Sequence, residues 1–600
     1  MSDRVRDSEP VRLLRCFSAA NGRLTVLVVV SGMASGALLP AFALATGQLI
    51  GAVRGEGSTW LAVTVVVAAF LLARLVDPVL EEAGQALWRQ VDESLSQRLM
   101  RAVLDPPGLG PVESPEVRDR LVQAQGVLTD LTPGQAAYHL GRVLGLVVQG
   151  LGSLLIVATY RWWLAVLLAG GYAVAYRVYR DHWHHVTLVL HGRTDRLRHA
   201  YYLRSVALEP GAAKETRVFG LADWLVDGYR QRWLGEMRDV WQARREGWLI
   251  SAVVIAGLAV VEAVTIGHVA LGSVDGNLSV GHAAVLAQAV LGAAVLGTYS
   301  EGHWLLSECA RALTRIEEVE QEGAASSIVA GGASVAEGLP GERIRFEGVR
   351  FSYPGSDELV FDGLDLEIEA GRSLAIVGEN GAGKTTLVKL LCRLYDPDAG
   401  RITVDGIDLR ELDPRAWQGR LAAVFQDYVQ FELSAYDNVA YGALTNRDDT
   451  DGVADAAALA GAIHLIDRLP GGWSTPLSRA FTDGTQLSGG EWQRLALARA
   501  LFAVRSGAGV LILDEPTAAL DVRGEAEVYE RFLELTRGAT TLVISHRFST
   551  VRRADRIVVV EGGRVVEDGS HDELIAAKGR YATMYWLQAS RFDSGETHRA

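Results

Sequence analysis

The sequence predicts a membrane protein in two parts: an all-α transmembrane domain of six helices, then an α/β phosphate-loop domain. Three observations lead to this. The first half of the 600 residues holds six apolar stretches, near 24–53, 59–80, 138–160, 162–180, 248–272 and 278–300. Each approaches or exceeds the roughly 20 residues that a bilayer core requires. The second half carries Gly-Glu-Asn-Gly-Ala-Gly-Lys-Thr at 378–385, between a strand-like run and a helix-like run. A further apolar run, Val510-Leu-Ile-Leu, ends in the acid pair Asp514-Glu515.

In chain order, residues 1–23 form a polar N-terminal segment with Arg4, Arg6, Arg12 and Arg15, and no cleavable signal peptide is expected. The domain at 24–320 follows. Its first stretch exceeds a minimal span, so it is expected to tilt or to bend at Pro40. The outer loops are tiny and hold Arg54 and Glu56, Arg161, and Asp275, whereas the inner segments 81–137, 177–247 and those after 301 are rich in arginine. That asymmetry places both termini in the cytoplasm. Trp60, Trp162, Trp163 and Trp248 sit at span ends, as interface anchors do.

Three of the charged residues within or near the spans stand out. Glu262 lies in the fifth, where a carboxylate either lines a cavity or pairs with a polar group on a neighbouring helix. Arg74 and Asp77 stand one turn apart near the inner end of the second, and are expected to pair or to snorkel. Residues 321–342 are small, polar and Gly-rich and read as a linker. The net charge of −14 argues against a nucleic-acid partner. Cys16, Cys309 and Cys392 have no metal-binding spacing and fit reduced cytoplasmic thiols.

The domain at 343–600 carries the chemistry. Gly378, Glu379, Asn380, Gly381, Ala382 and Gly383 form a loop whose backbone N–H groups cradle phosphate, with the following helix presenting its positive end. Lys384 is expected to reach the β- and γ-phosphates of ATP, Thr385 to ligate Mg²⁺, and Thr386 to belong to the nucleotide-binding set. An acid pair at the end of an apolar strand is costly without a task. Asp514 is assigned to Mg²⁺ and Glu515 to the general base that polarises the attacking water. His546, after the strand-like Thr541–Ser545, is placed to contact the γ-phosphate, and Gln426 to sense both γ-phosphate and Mg²⁺.

Leu487-Ser-Gly-Gly-Glu491, together with the motifs above, makes residues from about 343 to 590 resemble the nucleotide-binding domain of ABC transporters. The order of the two halves resembles an exporter half-transporter of the bacterial cell membrane. The resemblance implies that Tyr353 stacks on adenine and that Ala519-Leu-Asp521 is the D-loop. It also implies that Ser488, Gly489 and Gly490 close over ATP held by the other domain of a dimer. Since Glu515, His546 and the signature are all intact, a second copy of the chain is the expected partner, with a heterodimer as the alternative. The tips of the two inner segments, near 114–121 and 219–228, are expected to dock on the ATPase domains as coupling helices.

The segments Val424–Leu433 and Thr475–Gln493 look like those of lanthipeptide and natural-product exporters. Thr482-Asp-Gly-Thr485 departs from the Gly-Glu-Arg-Gly of lipid flippases and multidrug pumps. The implied activity is alternating-access export of a peptide or other secondary metabolite. The alternative is a lipid flippase or multidrug exporter, and less favoured are a siderophore-type importer or an ATP-gated channel. Cys16 is read as structural rather than as a leader protease nucleophile, because only some twenty residues precede the first span.

Overall fold

The computed structural model describes residues 9–55, 58–124, 132–191, 194–324, 328, 336–515 and 538–596. The chain divides into two compact units, one of Met1–Asp105 with Val112–Gly323 and one of Pro106–Pro111 with Ala324–Ala600.

Long helices build the first unit: α1 (Glu9–Val53), α2 (Thr59–Leu104), α3 (Gln135–Tyr160), α4 (Trp162–His191), α5 (Ala222–Val274), α6 (Val280–Ala293) and α7 (Glu301–Ala324). The first five apolar stretches are helical throughout, and the sixth is helical over most of its length. Helices α1, α2, α3, α5 and the α6–α7 run are long and apolar enough to cross a membrane. The expected bend at Pro40 is not where α1 breaks. The break is at Asn21 (φ −159°, ψ 102°), whose Oδ1 accepts the Leu24 N–H at 3.0 Å. Asn21 thus caps the span, and the preceding turns bury Leu13 and Phe17 against Cys309, Leu313 and Ile316.

Helices α1 and α3 meet backbone to backbone. A Cβ on Gly32 would lie 2.2 Å from the Gly141 carbonyl oxygen, and one on Gly36 would lie 2.1 Å from that of Gly145. These Gly-x-x-x-Gly pairs are the small-residue seam that lets apolar helices associate where water supplies no driving force.

The sixth stretch is interrupted. Helix α6 ends in a 3₁₀ turn at Ala294–Gly297, and α7 starts at Glu301. Buried Tyr172 packs against Gly297. Its hydroxyl donates to Glu262 Oε1 at 2.9 Å, with the Val290 carbonyl as a second acceptor at 3.3 Å. Glu262 therefore takes the polar-pair reading. Arg74 and Asp77 do not pair: Asp77 accepts from Ser35 at 2.8 Å, and the Arg74 guanidinium lies 5.3 Å from the Phe70 ring centre.

The second unit contains two sheets. Strands β1 (Arg343–Ser352), β2 (Leu359–Glu369), β4 (Ala399–Val404) and β5 (Ile407–Asp408) form an antiparallel sheet ordered β2-β1-β4-β5. A six-stranded sheet is ordered β10-β9-β3-β8-β7-β6, from β3 (Ser373–Val377), β6 (Leu421–Val424), β7 (Val510–Asp514), β8 (Thr540–Ile544), β9 (Arg556–Glu561) and β10 (Arg564–Gly569). All its pairings are parallel except that of the edge strand β10. Every residue of β7 and β8 is buried, the uninterrupted apolar reading expected of strands covered on both faces. A separate core lies around helix α9 (Gly489–Arg505), with Trp492, Leu495 and Phe502 buried.

The inner tips lie earlier than 114–121 and 219–228. Pro106 and Pro107 stop α2, and Pro106–Pro111 joins the second unit, where Leu109 N–H donates to Leu394 O at 3.0 Å and Gln418 Nε2 to Pro107 O at 3.2 Å. Ser114 instead starts the helix Pro115–Ala124, which buries Val117 beside Ala102 and Val319. The second turn is Pro210–Leu221, since residues from Ala222 onward already belong to α5.

Replacing Gly141 by Leu should drive side chain into the Val28 carbonyl and Leu80, separating α1 from α3. Overpacking of this kind costs about 1–3 kcal/mol or more. Thermal unfolding in detergent should show a lowered Tm for Gly141→Leu and little change for Gly170→Leu, whose Cβ would meet nothing within 4 Å.

Candidate functional site

The site lies at the carboxyl ends of β3, β7 and β8, where open α/β sheets bind ligands. Strands β3 and β8 pair in register from Ser373↔Thr541 to Ile376↔Ile544, and β7 pairs with β8 from Val510↔Thr540 to Asp514↔Ile544. The loops that leave these strands carry residues 378–385, 515 and 546, so the sheet alone brings three distant motifs to one edge.

Gly381 (φ +83°) and Gly383 (φ +95°) hold conformations that L side chains rarely adopt, so both turns require glycine. At Gly378 the demand is space: a Cβ there would sit 2.3 Å from the Val560 carbonyl oxygen. Gly383 leads into α8 (Lys384–Leu391), which buries Leu387, Val388, Leu390 and Leu391 and so fixes the loop to the core. Lys384 is buried, and its Nζ donates to Gly378 O at 2.9 Å and Glu379 O at 2.8 Å. Burial lowers its pKa, while the charges of Glu515 and Asp514 oppose that shift.

Thr385 Oγ1 donates to Asp514 Oδ2 at 3.0 Å, joining the two expected metal ligands across 129 residues. Asp514 Oδ1 is buried and has no hydrogen-bond partner among the described residues. Burial raises the Asp514 pKa against the opposing hydrogen bond from Thr385. A buried carboxylate oxygen without a donor, beside a hydroxyl, is a fitting oxygen set for a hard divalent cation such as Mg²⁺.

Glu515 sits at φ +49°, rare for a residue with a side chain, and its N–H donates to Ile544 O at 2.9 Å. Such strain concentrates where geometry serves function. Glu515 Oε1 lies 2.7 Å from His546 Nε2. Gln426 is exposed just past the end of β6, the neighbour of β7. Tyr353 makes a hydroxyl–hydroxyl hydrogen bond with Thr386 at 3.0 Å, and Lys389 Nζ stands 5.1 Å from its ring centre.

The signature residues are placed apart from this cluster. Ser488 caps α9 in a reciprocal capping box with Glu491, and Ser488 and Gly489 are exposed. No hydrogen bond among the described residues joins Ser488, Gly489 or Gly490 to the phosphate loop. Tyr428, unremarked in the sequence, links the segment after Gln426 to the signature by donating to Gly489 O at 3.0 Å. Its place two residues beyond Gln426 was the available signal. Asp521 and the rest of the D-loop lie outside the described residues.

These residues supply a glycine-built loop suited to phosphate, a hydroxyl–carboxylate pair suited to a metal ion, and a carboxylate held by a histidine. A bound Mg²⁺ would supply positive charge to phosphate oxygens, and Thr385, Asp514 and Gln426 are the side chains that would hold it.

Residues 361–518 match the family model described as ABC transporter. Among curated relatives, the ATP-dependent lipid A-core flippase of Chromohalobacter salexigens is 40% identical over 296 residues, 47% of this chain and 49% of the relative. The mycobactin import ATP-binding/permease protein IrtB of Mycolicibacterium thermoresistibile is 43% identical over 259 residues, 43% of each chain. The chain thus spans about half the length or less of the curated relatives it matches. A bacterial Atm1-family ABC exporter with ATP bound superposes with a TM-score of 0.70 at 24% identity, over 94% of this chain and 97% of that one. The chain has that fold: a helical transmembrane domain followed by an α/β ABC ATPase domain.

Glu515→Gln should keep ATP binding and lower ATP hydrolysis by about 10²–10⁴-fold, the usual contribution of a general base. Asp514→Asn should leave hydrolysis unresponsive to added Mg²⁺, matching the wild type in EDTA. Nucleotide binding and phosphate release, measured in parallel, check both.

Proposed function

We propose that two copies of this chain form an ATP-driven exporter of an amphiphilic, lipid-like cargo in a bacterial inner membrane, with both termini in the cytoplasm. The observation that carries this reading is the joining of Thr385 to Asp514 and of Glu515 to His546 in a chain whose other unit is built of membrane-length helices. ATP and Mg²⁺ are its cofactors.

The need for a second copy follows from the signature. Ser488 opens an exposed helix N-terminus, a natural anion site, on a core separate from the phosphate loop. A γ-phosphate held by Lys384 of one copy and capped by the signature of the other would make ATP the bond between them. Val218 and Phe219, on the second inner turn, are 80% and 70% exposed, an apolar tip suited to a partner surface.

On cargo, the names of the relatives favour a lipid over a peptide or other secondary metabolite, and the resemblance to lanthipeptide exporters finds no support among them. Outward direction is favoured by the exporter fold. Binding of ATP would close the paired ATPase domains, and hydrolysis at Glu515 would release them. Transport then requires ATP to bind the closed state better than the open one.

Two measurements test this. Ser488→Arg and Lys384→Ala should each abolish hydrolysis alone. Mixed, they should recover it, because one site of the mixed pair keeps an intact loop and an intact signature; no recovery would exclude a composite site. In proteoliposomes with the ATPase domains outside, a fluorescent lipid should move across the bilayer with ATP and not with Glu515→Gln. Movement in the opposite sense would make the protein an importer.

A further inference from the structure

Strand β6 ends at Val424, and the chain that follows carries Gln426 and then runs against α9. This segment is fastened to α9 at two places. At the N-terminal end of the helix, the Tyr428 hydroxyl donates to Gly489 O at 3.0 Å. Burial raises the Tyr428 pKa, so the phenol keeps its donor proton. Farther along the helix, the Arg499 guanidinium stands 4.8 Å from the Phe431 ring centre. Asn438, fully buried in the short helix Ala435–Ala440, completes that second fastening. Its Nδ2 donates to Phe431 O at 2.8 Å, and its carbonyl and Oδ1 accept from Arg499 at 2.8 and 3.1 Å. The two fastenings are about 15 Å apart along the helix axis, at 1.5 Å of rise per residue. Held at both points, the segment cannot turn without carrying α9 with it.

The end of α9 that Tyr428 holds also carries a cost. Trp492 and Gln493 are buried, yet Trp492 Nε1 and Gln493 Oε1 have no hydrogen-bond partner among the described residues. Unpaired buried polar groups are unfavourable, and a re-aimed first turn is one way to relieve them. Ser488 and Gly489 stand exposed at the start of that turn.

We infer that Tyr428 is a positioning residue through which occupancy of one ATP site sets the aim of the signature at the other. The inference rests on the paired, composite-site reading above and adds the coupling between its sites. In that reading Gln426 meets the γ-phosphate on its own copy, whereas Ser488, Gly489 and Gly490 meet the one on the other copy. A shift of Gln426 toward the γ-phosphate pulls the segment that follows it, and the Tyr428 bond carries the pull to the Gly489 carbonyl. Because the Arg499 fastening anchors the far end, the displacement is delivered to the first turn of α9. ATP at one site thereby favours closure over the other, which is positive coupling. The hydroxyl is engaged by a backbone carbonyl rather than by a reacting atom, so its effect falls on coupling rather than on bond cleavage.

The test is phosphate release by the full-length protein in nanodiscs, measured against ATP concentration. A coupling of about fivefold, the low end of the usual range, gives two sites a Hill coefficient of about 1.4. The wild type should reach at least that value. Tyr428→Phe keeps the ring and removes one hydroxyl. It should bring the coefficient to about 1 and raise the half-saturating ATP concentration. A role confined to holding the helix would instead lower Tm and the maximal rate and leave the coefficient at the wild-type value. A mixed pair of Lys384→Ala and Ser488→Arg copies has one working site, so its coefficient should be about 1 with or without Tyr428→Phe. A wild-type coefficient of about 1, or cooperativity that survives Tyr428→Phe, overturns the inference. Loss of cooperativity in Tyr428→Phe with no recovery of hydrolysis in the mixed pair would overturn the composite site and leave Tyr428 as the coupling residue.

Discussion

The parallel pairing of β3, β8 and β7 is the constraint on which the ATPase unit depends. Three strands of five residues each, buried along nearly their whole length, run side by side and end together. Their following loops have no freedom to end elsewhere. Thr385 and Asp514, 129 residues apart in sequence, are brought to 3.0 Å by this register rather than by any local preference. The cost appears in the same place, as a buried carboxylate oxygen without a donor among the described residues and a positive φ at Glu515. Both are local penalties that the surrounding sheet holds in place, and both belong to residues that the proposed function assigns a chemical role.

The membrane unit obeys a different constraint. Apolar side chains gain nothing by leaving lipid for one another, so close backbone approach has to supply the attraction. Helices α1 and α3 achieve it by having glycine on both sides of the contact. The same absence of side chains opens space for a cavity, and the charges of α2 and the start of α7 line it. Close packing therefore depends on these glycines, so a substitution that fills Gly141 or Gly145 would separate the two helices.

The two units also differ in how their polar groups are paired. Around the phosphate loop nearly every functional side chain has a partner: Lys384 on two carbonyls, Thr385 on Asp514, Glu515 on His546, Tyr353 on Thr386. In the membrane cavity Glu82 and Glu301 have none among the described residues. A site that meets the same ligand at every turnover is prearranged for it.

Much of this was legible in the chain itself. Local signals carry the phosphate loop, since glycine spacing answers to positive φ and to backbone clearance at Gly378, Gly381 and Gly383. Apolar run length carries the spans, because the bilayer sets a length that composition alone can meet. Other features depended on which helix meets which. Glu262 could line a cavity or pair until Tyr172 of another helix took its carboxylate. Arg74 and Asp77, one turn apart, could pair or snorkel on sequence grounds, and the pair is not formed: Ser35 donates to Asp77 and Arg74 rests against Phe70. The inner tip moved to Pro106–Pro111 because Leu394 and Gln418, nearly three hundred residues away or more, receive it. Chemistry tied to a loop or to a length is written locally. The charge balance of a cavity is a sum over several helices, and no stretch of sequence holds that sum before the helices pack.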